Sequence, residues 1–199
     1  METTGPFSFE IDTEIILACF RSNDDMGIVL RVHMEVERSM IRELERRFPN
    51  YGALKFQFFD QHLKALKAFG KFTPLSDAIT QINVTRNKFA HVRNIRKTDL
   101  TQSDLNNLYH HTAAAFTSVP DLKKIDVKID EEGLHESLID LTPARQFAII
   151  GAMIVGAIET MRQRQSAKQV EILVKWSGEI EKILDAYKKQ EPTIHGSKS

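Results

Sequence analysis

The sequence predicts an all-α fold, and three observations predict it. Glycine and proline are scarce, nine and six among 199 residues, so little in the chain interrupts a helix. Apolar residues recur at three- and four-residue steps over most of the chain. Helix-starting residues stand just ahead of those runs: Asp24, Thr73, Thr101 and Thr142. At 42% apolar and 27% charged, the composition is that of an ordinary globular protein, long enough for one sizeable core or a core with an appendage.

Each element follows from local residues. Ile11 to Arg21 reads as a short first helix. "SNDD" then caps a longer one from about Asp24 to Phe48, with Val29, Val32, Val36, Met40 and Leu44 on its inner stripe and Pro49-Asn50 ending it. "ALKFQFFDQHLKALKAFG" predicts a third helix with Phe56, Phe59, Leu63, Leu66 and Phe69 inward and Gly70 at its C-terminal end. In "FTPLSDAI", Thr73 caps, Pro74 sits in the first turn and Asp77 suits the helix dipole, so a fourth helix runs past Phe89. Thr101 with Asp104 is a capping-box variant for a fifth helix through Phe116. Between Pro120 and Leu141 the period changes: "LKKIDVKID", "EEG" and "LHESLIDL" predict a small β-hairpin or an acidic excursion. Thr142 and Pro143 open a sixth helix, and a seventh covers Lys168 to Lys189, with the break near Gln165-Ser166. The resulting division is a helical core over 1–118, an acidic connecting segment over 119–141, C-terminal helices packed on the core over 142–190, and a disordered polar tail over 191–199.

Zero net charge conceals a polarised chain. Residues 1–51 sum to −4; residues 52–98 hold nine bases against Asp60 and Asp77, +7; residues 99–141 sum to −6; residues 142–199 sum to +3. Such asymmetry focuses a field on an anionic ligand. Cys19 is the single cysteine, which excludes an intramolecular disulfide and argues against a cysteine-based zinc site. "METTGPFSFEID" does not read as a signal peptide, and the most apolar stretch, Phe147 to Glu159, is too short to span a bilayer, so a cytoplasmic protein with no membrane partner is expected. Ala148, Ala152 and Gly156, four apart, predict a face that another helix approaches closely.

The basic region peaks in "RNKFAHVRNIRK", Arg86 to Lys97, inside a stretch free of acids from Ala78 to Thr98. An Arg followed five positions later by a His is weakly specific by itself. Residues five apart on a helix diverge by about 140°, so Arg86 and His91 share no face, whereas Asn87 and His91 do. Joint action therefore requires a helix that deviates between them or a second helix completing the site, and a two-fold dimer supplies one. The residue types suit phosphodiester cleavage by a 2′-hydroxyl: histidine moves protons near neutral pH, arginine matches phosphate oxygens, and asparagine holds the phosphate or the imidazole. That chemistry needs no metal, and the sequence offers no metal site, so neither metal nor cofactor is expected.

"RNKFAH" resembles the Arg-x(4–6)-His signature of HEPN domains. "FFDQHLKALKAFGKFTPLSDAITQINVTRNKFAH" is similar in layout to the mannitol operon repressor-like group of that superfamily: a helix, a glycine break, and a helix ending in Arg-Asn-x-Phe-Ala-His. The resemblance covers roughly Asp24 to Phe116, about half the chain. It implies an HEPN-like helical bundle over 1–118 that forms a homodimer. It also implies a metal-independent endoribonuclease acting on RNA, a toxin or phage-defence effector, with Arg86 and His91 catalytic and Asn87 in support. Lys88, Arg93, Arg96 and Lys97 would then guide the RNA backbone. The repressor-like group implies the alternative: a non-catalytic transcriptional regulator, or an interaction module that binds a protein partner or antitoxin. Some members use an acid from another helix, and Glu35 and Glu37 lie on the second helix.

Other features carry blander expectations. His33 and His62 read as structural or exposed histidines, Tyr109-His110-His111 as surface and boundary positions, and "ERSMIRELERR" as a salt-bridged solvent face. Phe56, Phe58 and Phe59 could stack bases, but beside a helical stripe they read as core, as does Trp176.

Overall fold

The computed structural model describes residues 13–70, 73–90, 99–117, 121–129 and 133–161. The chain divides into two compact units, Met1–Thr160 and Met161–Ser199, and all the described residues but Met161 lie in the first. Six α-helices and one two-stranded sheet make up the described part, so the fold is all-α with a small hairpin. The helices are α1 (Thr13–Phe20), α2 (Asp25–Arg47), α3 (Phe59–Ala68), α4 (Thr73–Ala90), α5 (Gln102–Ala115) and α6 (Pro143–Met161). Strands β1 (Asp126–Ile129) and β2 (Leu134–Ser137) pair antiparallel, with Asp126 opposite Ser137 and Ile129 opposite Leu134. The predicted seventh helix, Trp176 and the tail lie outside the described residues.

Local chemistry sets the boundaries. The Asp24 side chain accepts from the Met26 N–H and starts α2. Thr101 and Asp104 form the reciprocal capping box expected of α5. Gly70 ends the α3 turn at φ +72°, a conformation that glycine adopts without a Cβ penalty. α3 is shorter than the sequence suggests. Tyr51–Leu54 is a separate 3₁₀ turn, and Lys55 at φ 49° re-aims the chain before α3 begins at Phe59.

The core forms around α2. Val29, Val36, Met40 and Leu44 are fully buried with Ile79, Ile82, Leu105, Leu108, Phe147, Ile150 and Ile154. α6 comes so close to α2 that a Cβ on Gly151 would meet Val32 Cγ1 at 2.3 Å. The close-approach face therefore includes Gly151 alongside the buried Ala148 and Ala152. α6 is 19 residues long, more than its apolar centre suggested and long enough by length alone to cross a bilayer, but 72% of it is buried inside the protein. Tyr109, Gln146 and the backbone tie α5, α6 and the segment after β2 together. Tyr109 Oη donates to Gln146 Oε1 at 3.0 Å, and Gln146 Nε2 donates to the Leu141 carbonyl at 2.6 Å. Burial pushes the Tyr109 phenol up to about 12. Cys19 is 1% exposed, and burial raises its thiol pKa against the opposing field of Arg31.

"ERSMIRELERR" departs from expectation. Its arginines form ion pairs, but the carboxylates that receive them are inside: Glu43 is 0% exposed and Glu35, just ahead of the segment, 6%. Glu43 accepts from Arg46 Nε at 3.0 Å and Arg47 Nε at 2.6 Å, and Glu35 from Arg38 at 2.6 Å and Arg42 at 2.9 Å. Arg42 Nε also lies 3.3 Å from Glu159 on α6. Periodicity assigns one inward stripe to α2, whereas its packing against α1, α3, α4 and α6 covers more of its surface.

Candidate functional site

Two helices present short polar motifs to each other. On α2, His33 and Glu37 are four apart, and on α4, Asn83, Arg86 and Asn87 are spaced three and four, so each set shares a face. α2 and α4 pack together, and the start of α3 adds Gln57, Phe58, Phe59 and Asp60. These nine residues line one cleft of about 370 Å³.

A hydrogen-bond chain crosses the three helices. His33 Nε2 lies 3.1 Å from Asn83 Oδ1, and Asn83 Nδ2 donates to Asp60 Oδ1 at 3.1 Å. A carboxylate oxygen accepts, so the Asn83 amide turns its NH₂ toward Asp60 and its oxygen toward His33. That oxygen needs a donor, which fixes the neutral His33 ring with its proton on Nε2 and its lone pair on Nδ1. Phe59 backs the imidazole, its ring stacked at 4.5 Å between centroids. Burial lowers the His33 pKa most; the Asn83 hydrogen bond and Glu37 oppose that, and Arg86 adds to it. His33 is therefore neutral at neutral pH.

Arg86 and Asn87 sit in the same cleft. Arg86 Nη1 donates to Asn87 Oδ1 at 3.1 Å, which commits the amide oxygen and leaves its NH₂ as a donor. Arg86 Nε is buried without a hydrogen-bond partner among the described residues. Glu37 Oε1 lies 3.3 Å from His62 Nδ1 on α3, so its carboxylate bridges the cleft wall and the core.

The remaining predicted residues are distributed as follows. α4 is regular α-helix through Ala90, so the chain does not deviate between Arg86 and that point. His91, Arg93, Arg96 and Lys97 lie outside the described residues. The Lys88 ammonium is exposed and pairs with Asp104 of α5. Burial alone would raise the Asp104 carboxyl, but Lys88 and the two Thr101 donors outweigh it and hold the group below its usual range. Glu35 belongs to the α2 arginine network rather than the cleft, whereas Glu37 lines the cleft. His110 is exposed and His111 half-buried, as boundary positions should be, whereas Tyr109, expected with them, is 5% exposed because its phenol reaches Gln146 of α6 in the core. Among the described residues no three His, Cys, Asp or Glu side chains converge as a cation site.

Gln57, Asp60 and Asn83 are cleft residues that the sequence does not single out, and His33 reads there only as a structural or exposed histidine. The i, i+4 and i, i+3 spacings on α2 and α4 were visible, but nothing local says that the α2 face meets the α4 face. No protein-family model, curated protein or solved structure matches this chain.

Proposed function

We propose that this chain is a cytoplasmic, homodimeric, metal-independent endoribonuclease of HEPN type, a toxin or phage-defence effector, with Arg86, Asn87 and His91 at the reacting phosphate. One observation carries this reading: Arg86 and Asn87 line a common cleft, and Arg86 is the one cation among its lining residues. No ion pair among the described residues neutralises Arg86, so its charge is available to a phosphate.

In this reading His91 takes the proton from an RNA 2′-hydroxyl. The O2′–P bond forms, the P–O5′ bond breaks, and O5′ leaves with a proton from His91 of the partner subunit. Arg86 offsets the charge that builds on five-coordinate phosphorus, and the Asn87 NH₂ holds a phosphate oxygen. Lys88, Arg93, Arg96 and Lys97 guide the backbone. Lys88 would exchange Asp104, whose side chain is 15% exposed, for a phosphate, one anionic partner for another. The test is incubation of purified protein with varied RNAs in EDTA. The wild type should cleave and His91→Ala should not; equal, background-level cleavage by both refutes catalysis at this site.

A second reading is a non-catalytic regulator or interaction module, and the His33–Asn83–Asp60 chain favours it. That network pins three helices together, and the cleft it borders carries two carboxylates, Glu37 and Asp60, against the single guanidinium of Arg86. Unfolding or monomerisation of Arg86→Ala and His91→Ala would support it. Intact fold and dimer with loss of the cellular phenotype would count against it.

A further inference from the structure

The sequence places three phenylalanines within four positions, Phe56, Phe58 and Phe59, and the structure separates them. Phe59 is buried against His33. Phe56 is half-buried, edge-on to Tyr51 at 6.0 Å and to His62 at 5.9 Å. Phe58 is 65% exposed, and among the described residues no ring packs on it.

An exposed phenylalanine is unremarkable by itself. Phe58 differs in its setting, because it lines the cleft that holds Arg86, Asn83 and Asn87. Its backbone is also held in place. Gln61 Oε1 accepts from both the Gln57 and Phe58 N–H groups, at 2.8 and 3.1 Å, and the Gln61 N–H returns a bond to the Phe58 carbonyl at 2.9 Å. The ring is thus carried on a fixed helix start, which reduces the ordering that binding would otherwise require.

We infer that Phe58 is the platform on which one unpaired RNA base stacks while the adjoining phosphate lies on Arg86. This deepens the ribonuclease reading and rests on RNA as the ligand. Three facts set the arrangement. Phosphate belongs at the guanidinium, the one cation among the residues lining the cleft. Phosphate is repelled by the carboxylates of Glu37 and Asp60, so the neutral base occupies the rest of the cleft. A base in a duplex has no free face to offer a ring, so the ligand is single-stranded.

The test uses the full chain and a short fluorescein-labelled single-stranded RNA with 2′-O-methyl sugars, which cannot be cleaved by 2′-hydroxyl attack. Anisotropy should show Phe58→Leu binding about tenfold more weakly than wild type, with Phe58→Tyr restoring affinity. A duplex of the same sequence should not distinguish the variants. Equal binding by Phe58→Leu and wild type overturns the inference, as does absence of binding by wild type. Unmodified RNA incubated in parallel separates the two ideas. Stacking loss without any cleavage removes the ribonuclease and keeps the platform; cleavage with Phe58→Leu binding unimpaired does the reverse.

Discussion

His33 shows how one side chain can be a support and a sensor together. Its folded pKa lies below the model-compound 6.5, first because of burial. The unfolded chain therefore binds more protons between the folded value and 6.5, and stability falls as pH drops through that window. Urea midpoints should decline below about pH 6.5, less so in His33→Gln, and the ring resonances should titrate below the free-histidine value. A slope indifferent to that substitution would place the acid lability elsewhere. Asn83→Leu should cost about 1–3 kcal/mol, since it leaves a buried ring N–H and Asp60 without their partner. None of this could be read from His33 in isolation, because its partner lies 50 positions away. Arg86 and Asn87 stand out in the sequence because residue type, charge context and spacing all lie within one short segment, and the structure adds that both line one cleft.

Element boundaries were the most legible part of the fold, because caps and breakers act over a few residues. The Thr101–Asp104 box, Gly70 at positive φ, and Pro143 at the start of α6 all appear where local chemistry puts them. How elements meet was less legible. The α2–α6 contact depends on Gly151 facing Val32, and periodicity gives no partner for either. Gly151→Ala should destabilise by about 1–3 kcal/mol through overpacking, and Val32→Ala in the same chain should recover part of it. Simple additivity in that double-mutant cycle would contradict the contact. The α2 arginine pairs give a second check. Glu43 is fully buried between Arg46 and Arg47, so Glu43→Ala should cost about 3 kcal/mol in chemical denaturation, far above the effect of removing an exposed helix pair.

For the molecule as a whole, the all-α class followed from composition and period, whereas charge polarity singled out a basic segment without saying what it builds. The proposed dimer belongs to this scale. Met34 and Val84, on α2 and α4, are 56% and 51% exposed, and an isologous contact through these two helices would cover both. Light scattering on purified protein should give twice the 22.8 kDa chain mass, and Met34→Lys with Val84→Lys should reduce it to one. A wild-type monomer would rule out a shared cleft. Cys19 provides an independent clock for such experiments. Its sulfur is the chain's single thiol, hidden and disinclined to ionise, so alkylating reagents can reach it only during excursions from the native state. Its modification rate counts those excursions without any engineered label, and a partner or RNA that slows the reaction thereby reports how strongly it holds the chain shut.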